Sequence, residues 1–500
     1  MNVKKTIAVA ISMVLITLIS PLSLTADNSA SAETEIWDGT YDTSWYDEEE
    51  TELHISTAEE LAGLSELTNA GNTMAGKTIY LDNDIYLNDV SNYESWKTKA
   101  PENKWISIST ISGILDGNGY TIYGMYISEK HNIVKPNYAS RYTGFCKICD
   151  SEIRNISFEN IYISTSLNGW NSASSSLNSS TSFFSIGGIS GYCTENGSIT
   201  DCEVSGTIES TSSATGFDYI SSSGCYFNTA IGGIAGVNDG IISRCANNIS
   251  IVGQVSSGGY YVTCYGRLYI GGISGYNSLC IMDCKNTGNL YASGLYYYYV
   301  GGICGEQISG AIENCYNTGY IDNNNHNTSY GYGGGILGYS NGGSISNVYN
   351  TGMITGSWKY AVGSICHNTP TYISNAYYLS STAVKGIGTS DEDTTIAKSA
   401  SNMQKESFAE SLGEAFVYNE GGYPLLAWEA ALQQEPLMGD VNLDGIFDVA
   451  DIKLLQDYLV CRETLTAEQG AVADVCTDGV LDAFDLCVLK RMYLEQSETA

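Results

Sequence analysis

The sequence predicts a mainly β protein, a right-handed parallel β-helix (solenoid) with capping segments, followed by a small α-helical module. Three observations predict it. A glycine-pair hexapeptide recurs seven times between residues 143 and 368. The stretches between copies are short β-branched and aromatic runs with Gly and Asn at turns and almost no helical periodicity. Beyond "QQEP" at 433–436 the pattern changes abruptly to two acidic loops, each leading into an apolar-periodic helix.

The chain opens with Lys4 and Lys5, runs apolar from Ile7 to about Ile19 and reaches Ala30-Ser31-Ala32. That order fits a secretory signal over 1–32, cleaved before Glu33. No other apolar run approaches the roughly eighteen residues of a membrane span, and no sorting motif closes the chain, so any attachment to a cell is expected to go through a partner. With 22 basic against 55 acidic side chains, a net charge of −33 argues against nucleic acid and membrane surfaces as partners and favours cations and sugars.

An N-terminal cap and the first coils are expected over 33–141. "TAEELAGLSEL" from Thr57 carries a capping box (Thr57, Glu60) ahead of helical apolar spacing, and "KTIYLDNDIYL" and "ISGILDGNGYTIYGMYI" read as strands. The repeats follow over 142–380. The landmark copies are "TGFCKI", "GGISGY", "GGIAGV", "GGISGY", "GGICGE", "GGILGY" and "GSICHN". A small apolar residue stands 12 to 14 positions after the second residue of each: Ile156, Cys202, Cys245, Cys284, Cys315, Val348 and Ala376. The rest of each unit varies in length, so insertions should leave the solenoid on one flank. Such a coil cannot bury its inner face alone, and stacking supplies the core.

Fifteen cysteines in an exported chain would suggest disulfides, but the count is odd and four of them share the small apolar repeat position. They are expected as packed thiols, since free cysteine behaves as a small buried hydrophobe. The residue before that column is Asn155, Asp201, Arg244, Asp283, Asn314, Asn347 or Asn375, and two after it come Asn247, Asn286, Asn317 and Asn350. Polar ladders bonding rung to rung are expected.

The insertions contain Trp170, Tyr219, Phe227, Tyr260, Tyr261, Tyr265 and His326. Near the glycine pairs, Tyr269, Tyr299 and Tyr332 share strand parity with Tyr297 and Tyr330, which predicts an aromatic strip on one face, a surface suited to the sugar rings of a polysaccharide. Tyrosine also fills strand faces through its β-propensity alone. Metalloprotease and serine-hydrolase signatures are missing and histidine is scarce, so no residue is nominated as catalytic. A C-terminal cap and linker are expected over 381–436, with a helix from Asn402 to Phe416 and a closing strand or turn in "GGYPLLAWEAAL".

The last unit spans 437–497. "DVNLDGIFDVAD" presents oxygen donors at Asp440, Asn442, Asp444, the Ile446 carbonyl, Asp448 and Asp451, with Gly445 at the sharp turn. Hard cations such as Ca²⁺ require that many oxygens from one loop. Thirty-four residues later the register recurs with Asp474, Asp478, the Val480 carbonyl, Asp482 and Asp485, but Cys476 stands at the third position and removes one oxygen. Two Ca²⁺ ions are expected, the second more weakly held.

This tandem, from Gly439 to about Leu494, resembles a type I dockerin. The resemblance implies secretion, calcium dependence and a cohesin domain of a cell-surface scaffoldin as partner, in the cellulosome of an anaerobic fibre-degrading bacterium. It further implies cohesin contacts at Val449, Ala450, Gln456 and Asp457 in the first segment and at Ala483, Phe484, Lys490 and Arg491 in the second. Those two faces differ in size and charge, so one docking orientation is expected. From Tyr142 to Tyr378 the glycine-pair coils look like the GLUG motif of bacterial proteins with pectate-lyase-like β-helices. That motif specifies fold and not activity. Three roles for the β-helix remain open on sequence: polysaccharide binding, polysaccharide cleavage by a glycoside hydrolase or lyase, and surface adhesion.

Overall fold

The computed structural model describes residues 35–132, 140–168, 183–214, 225–257, 264–294, 297–323, 331–356, 363–389, 394–433, 437–477 and 479–499. The segment 1–32 expected to be a secretory signal, Trp170, Tyr219, Tyr260, Tyr261 and His326, and the side chains of Phe227 and Tyr265, lie outside the described residues.

The coils form a parallel β-helix of three sheets: a first from Glu52–Ile55 to Ile396–Lys398, a second from Arg141–Thr143 to Gly331–Gly334 and a third from Ile108–Ile111 to Leu337–Ser340. One rung shows the order. Glu152–Asn168 lies in the long first sheet, Phe183–Gly187 in the second and Ser190–Cys193 in the third, and Ser198–Ala214 returns to the first, paired in parallel with Glu152–Asn168. Inward positions repeat from rung to rung. Ile199, Ile242, Ile281, Ile312 and Ile345 pair in register and are fully buried, as are Ile186, Ile231, Ile270 and Val300 in the second sheet.

The glycine-pair motif is a packing device. A Cβ on the first glycine of a pair would meet the carbonyl three residues on, at 2.0 Å for Gly232 and 1.9 Å for Gly271. A Cβ on the second would strike the next rung, at 2.2 Å from the Gly302 carbonyl for Gly272, and also the buried asparagine column, at 2.3 Å from Asn286 Cγ. The space that the glycines leave is filled by that column. Asn247 Nδ2 donates to Asn286 Oδ1 at 2.6 Å, Asn286 to Asn317 at 2.7 Å and Asn317 to Asn350 at 2.8 Å, while each amide also serves its own turn backbone. Every buried polar atom in the ladder therefore finds a partner.

The residue before the cysteine column is left-handed in seven successive rungs, with φ between 45° and 54°. Asn and Asp tolerate that conformation best, which explains their prevalence there. Their side chains bond upward: Asn314 to Asp283 at 2.9 Å, Asn347 to Asn314 at 3.0 Å and Asn375 to Asn347 at 2.9 Å. Arg244, the one bulky member, is held by a forked bond to Asp201, both contacts at 2.5 Å. Cys202, Cys245, Cys284 and Cys315 are buried free thiols, each bonded to the backbone carbonyl two residues before it.

At the front, helix Ala58–Asn69 starts at the expected capping box, with Thr57 Oγ1 accepting from the Glu60 amide at 3.2 Å, and buries Leu61 and Leu64. The C-terminal segment differs from expectation. Instead of one helix from Asn402 to Phe416 there are two short ones, Ala400–Met403 and Glu406–Leu412. The second stops at Gly413, whose φ is 100°. "GGYPLLAWEAAL" divides into strand Leu425–Leu426, paired antiparallel with Phe416–Val417, and helix Ala427–Gln433. The reason is what the segment covers. It lies on the outer flank of the first sheet, where Tyr316, Tyr349 and Tyr377 form an outward column, and Met403, Phe408, Leu412, Phe416 and Leu426 pack on those rings. Glu429 accepts from Lys285 Nζ at 2.9 Å and from Tyr316 OH at 2.7 Å, Trp428 Nε1 donates to the Asp283 carbonyl at 2.9 Å, and Tyr349 OH donates to the Pro424 carbonyl at 2.5 Å.

Candidate functional site

The C-terminal module consists of helices Val449–Leu459, Ala467–Ala473 and Ala483–Thr499 around Val441, Phe447, Ile452, Leu455, Ala473 and Leu489. In the first loop the buried Asp440 accepts from the Gly445 amide at 2.7 Å and the Asp444 amide at 3.1 Å, with Gly445 at φ 85° making the turn. Asn442 accepts from Asp444 N and Asp444 from Ile446 N, each at 2.9 Å. The buried Asp451 ties both ends, accepting from Asn442 N at 2.9 Å and Asp448 N at 2.8 Å. Asp448 also caps the helix, accepting from Ala450 N at 2.6 Å.

The second loop repeats four of these bonds. Gly479 N donates to Asp474 at 2.8 Å, Cys476 N and Asp482 N to the two oxygens of Asp485 at 3.1 and 3.0 Å, and Phe484 N to Asp482 at 2.6 Å. Asp478 lies outside the described residues. Desolvation pushes the Asp485 carboxyl up, but the amides of Asp482 and Cys476 outweigh it and leave it below the usual carboxylate range.

Among the described residues no three Asp, Glu, His or Cys side chains gather into a ready-made metal cluster. A loop of this type does not need one, because Ca²⁺ accepts a mixture of carboxylate, amide and backbone oxygens and water. The donors present fit that chemistry: hard oxygens only in the first loop, aligned by backbone amides and supplied from Asp440, Asn442, Asp444, the Ile446 carbonyl, Asp448 and Asp451. The second loop has Asp474, Asp482, Asp485 and the Val480 carbonyl, with a thiol where the first has Asn442. Cys476→Asn is expected to tighten calcium at the second loop on the order of tenfold. Equal affinities in a calorimetric titration of the two forms would refute this.

Of the predicted cohesin contacts, Val449, Ala450, Gln456, Ala483, Phe484, Lys490 and Arg491 are exposed. Phe484 is 72% exposed and Val449 54%. Asp457 is half-buried and paired with Lys453 at 2.7 Å, so the first face carries a neutralised acid where the second carries two cations.

The tyrosines predicted as a strip are in register. Tyr269 pairs with Tyr299, Tyr299 with Tyr332, and Tyr297 with Arg267. Their rings stack on one another, with centroids 5.1 Å apart and 15° between planes for Tyr269 and Tyr299, and 5.0 Å and 6° for Tyr299 and Tyr332. The strip stands in a concave outer corner where the second and third sheets meet at the glycine turn, with Tyr276 and Tyr339 meeting it edge-on. Tyr269 and Tyr299 are buried there, Tyr297 and Tyr332 are partly buried, and Tyr330 lies outside the described residues. The buried rings offer their faces to each other rather than to solvent.

The same corner holds Glu306, which occupies the motif's final position, where Tyr276 and Tyr339 stand in the neighbouring rungs. It is 2% exposed, accepts from Asn341 Nδ2, and faces Tyr269 and Arg267. Burial pushes its carboxyl up to about 7, against the pull of the Tyr269 hydroxyl and the Arg267 charge. The signal in the sequence was the acid that ends "GGICGE", where the copies immediately before and after it end in Tyr.

Because the folded carboxyl keeps its proton to a higher pH than the unfolded one, the stability contributed there is intact below about pH 4.5 and is lost as the pH rises through 7. That amounts to at most about 3 kcal/mol. Thermal melting of the coils is expected to fall between pH 5 and 8, and Glu306→Gln to flatten the trend. An unaltered slope in the variant would assign the titration to another group.

Residues 438–494 match the model of the dockerin type I domain, and residues 296–323 match the GLUG motif. None of the curated proteins matches the chain. Among solved structures, it is similar to a "putative immunoglobulin A1 protease from Bacteroides ovatus", at 20% identity over 75% of this chain and 92% of that chain, with a TM-score of 0.41. Type I dockerin domains typically bind calcium, and a dockerin implies a cohesin partner and, as is general for such components, an extracellular setting. No helix among the described residues is long and apolar enough to cross a membrane. The chain therefore carries a type I dockerin domain, joined to a β-helix that contains a GLUG motif.

Proposed function

We propose that this is a secreted cellulosome component. Its dockerin, holding two Ca²⁺ ions, docks onto a scaffoldin cohesin in one preferred orientation, and its β-helix binds plant cell-wall polysaccharide. The observation that carries the docking half is the pair of loops sharing four equivalent side-chain-to-amide bonds, each followed by a helix whose first turn carries an exposed apolar side chain, Val449 or Phe484. A rigid, elongated body rich in tyrosine supports the polysaccharide half. Cleavage by a β-helix glycoside hydrolase or polysaccharide lyase is the second reading, favoured by Glu306 beside Tyr269 and Arg267.

The test is to incubate the calcium-loaded full chain with insoluble xylan, cellulose and pectin and measure both retained protein and released sugar. Retention without release supports binding, release supports cleavage, and neither on any polymer would overturn both.

A further inference from the structure

A cavity of about 620 Å³ opens on the outer flank of the first sheet, where the C-terminal segment stops covering it. Its floor continues the outward column of that sheet. Ser157, Glu203 and Ala246 precede Lys285 and Tyr316 in register, and only the latter two are bonded to Glu429. Tyr120, Trp428 and Leu432 supply apolar surface, while Asp201, Glu203 and Arg244 supply the polar groups. Leu443, Thr466 and Gln469 of the dockerin also line the cavity. The volume lies within the range of small-molecule and oligomer subsites, and a few convergent polar groups among apolar walls is the usual composition of such sites.

The chemistry narrows the ligand. Asp201 and Arg244 neutralise one another through their forked bond, and Glu203 accepts from Asn248 Nδ2 at 2.5 Å. The floor thus presents aligned donors and acceptors with one carboxylate in excess. Sugar hydroxyls both donate and accept, so they match it, whereas a uronate or phosphate would meet the uncompensated Glu203. Trp428 is oriented by its indole bond to the Asp283 carbonyl, and Leu432 at the rim is 70% exposed, which leaves apolar surface beside a polar floor.

We infer that this cavity is the polysaccharide subsite of the protein and that it takes a short stretch of a neutral polymer rather than an acidic one. The inference rests on the binding reading proposed above and gives it a location and a substrate class. The test is calorimetric titration of the calcium-loaded full chain with xylohexaose, cellohexaose and hexagalacturonate, with Tyr120→Ala and Trp428→Ala measured alongside.

A neutral hexamer is expected to bind, about tenfold more weakly in each variant, with hexagalacturonate at least about tenfold weaker than the neutral ligand in the native chain. Trp428→Ala also touches the docked segment, so Tyr120→Ala, remote from that segment in sequence, decides between ligand contact and loosening. Neutral-ligand affinity unchanged in Tyr120→Ala would overturn the location and leave the binding reading standing. Tighter hexagalacturonate binding would overturn the substrate class. No binding by the native chain, in solution or to insoluble polymer, would overturn the inference together with the reading it rests on.

Discussion

Chelating calcium is expected to abolish capture by a cohesin, with at least about a hundredfold loss of affinity, while the coils stay folded. The dockerin core is small, and four carboxylates crowd a twelve-residue loop around backbone amides. Asp457 pairs with Lys453 and Arg462, and among the described residues no Lys or Arg pairs with Asp440, Asp444, Asp448 or Asp451. A unit of this size is expected to depend on bound metal for folding, because binding free energy supplies what the apolar core cannot. The helices would lose order and Val449 and Phe484 would no longer be presented. Circular dichroism with and without EGTA, together with a cohesin binding assay, checks both halves. Undiminished cohesin affinity in the chelated chain would refute it.

The second large effect concerns the coupling of glycine pair and asparagine ladder. Gly272→Ala is expected to cost more than about 4 kcal/mol or to prevent folding of the coils, because the new methyl would fall 2.2 Å from a backbone carbonyl that cannot yield. Asn286→Ala is expected to cost roughly 3 kcal/mol, since it leaves the Asn247 amide, the Asn317 oxygen and the Gly288 carbonyl without their shared partner. The double variant should cost less than the sum, because truncating Asn286 removes one of the two collisions that the methyl meets. Denaturant unfolding of the four forms measures the coupling, and strict additivity would show that the two positions act independently.

Much of this was legible in the sequence because stacking imposes a strict repeat. The rungs, the small inward position filled by cysteine, and both polar ladders could be read from spacing, since each column must satisfy the same geometry in every coil. The donor positions of the loops were legible for a similar reason: six oxygens from twelve residues permit few arrangements. Burial of Tyr269 and Tyr299 was not legible, because strand parity tells which face a ring is on and not that the face is concave. The acid at Glu306 could be read from its motif copy, but its burial was hidden by the same corner. That the C-terminal segment also covers the outer flank of the first sheet was not legible, because its apolar residues say that it packs, whereas only the tyrosine column says on what.

That segment has a mechanical consequence. A protein tethered at one point is pulled through that point, and tension applied at the dockerin reaches the coils through residues 400–433. Had the segment simply continued the last coil, the load would peel rungs away one after another. Instead Glu429 grips Lys285 and Tyr316, Trp428 grips Asp283, and the backbone at Pro424 is held by Tyr349. These anchors lie on three successive rungs, so a tug that enters through the segment is expected to be shared among them and not borne by the last strand alone.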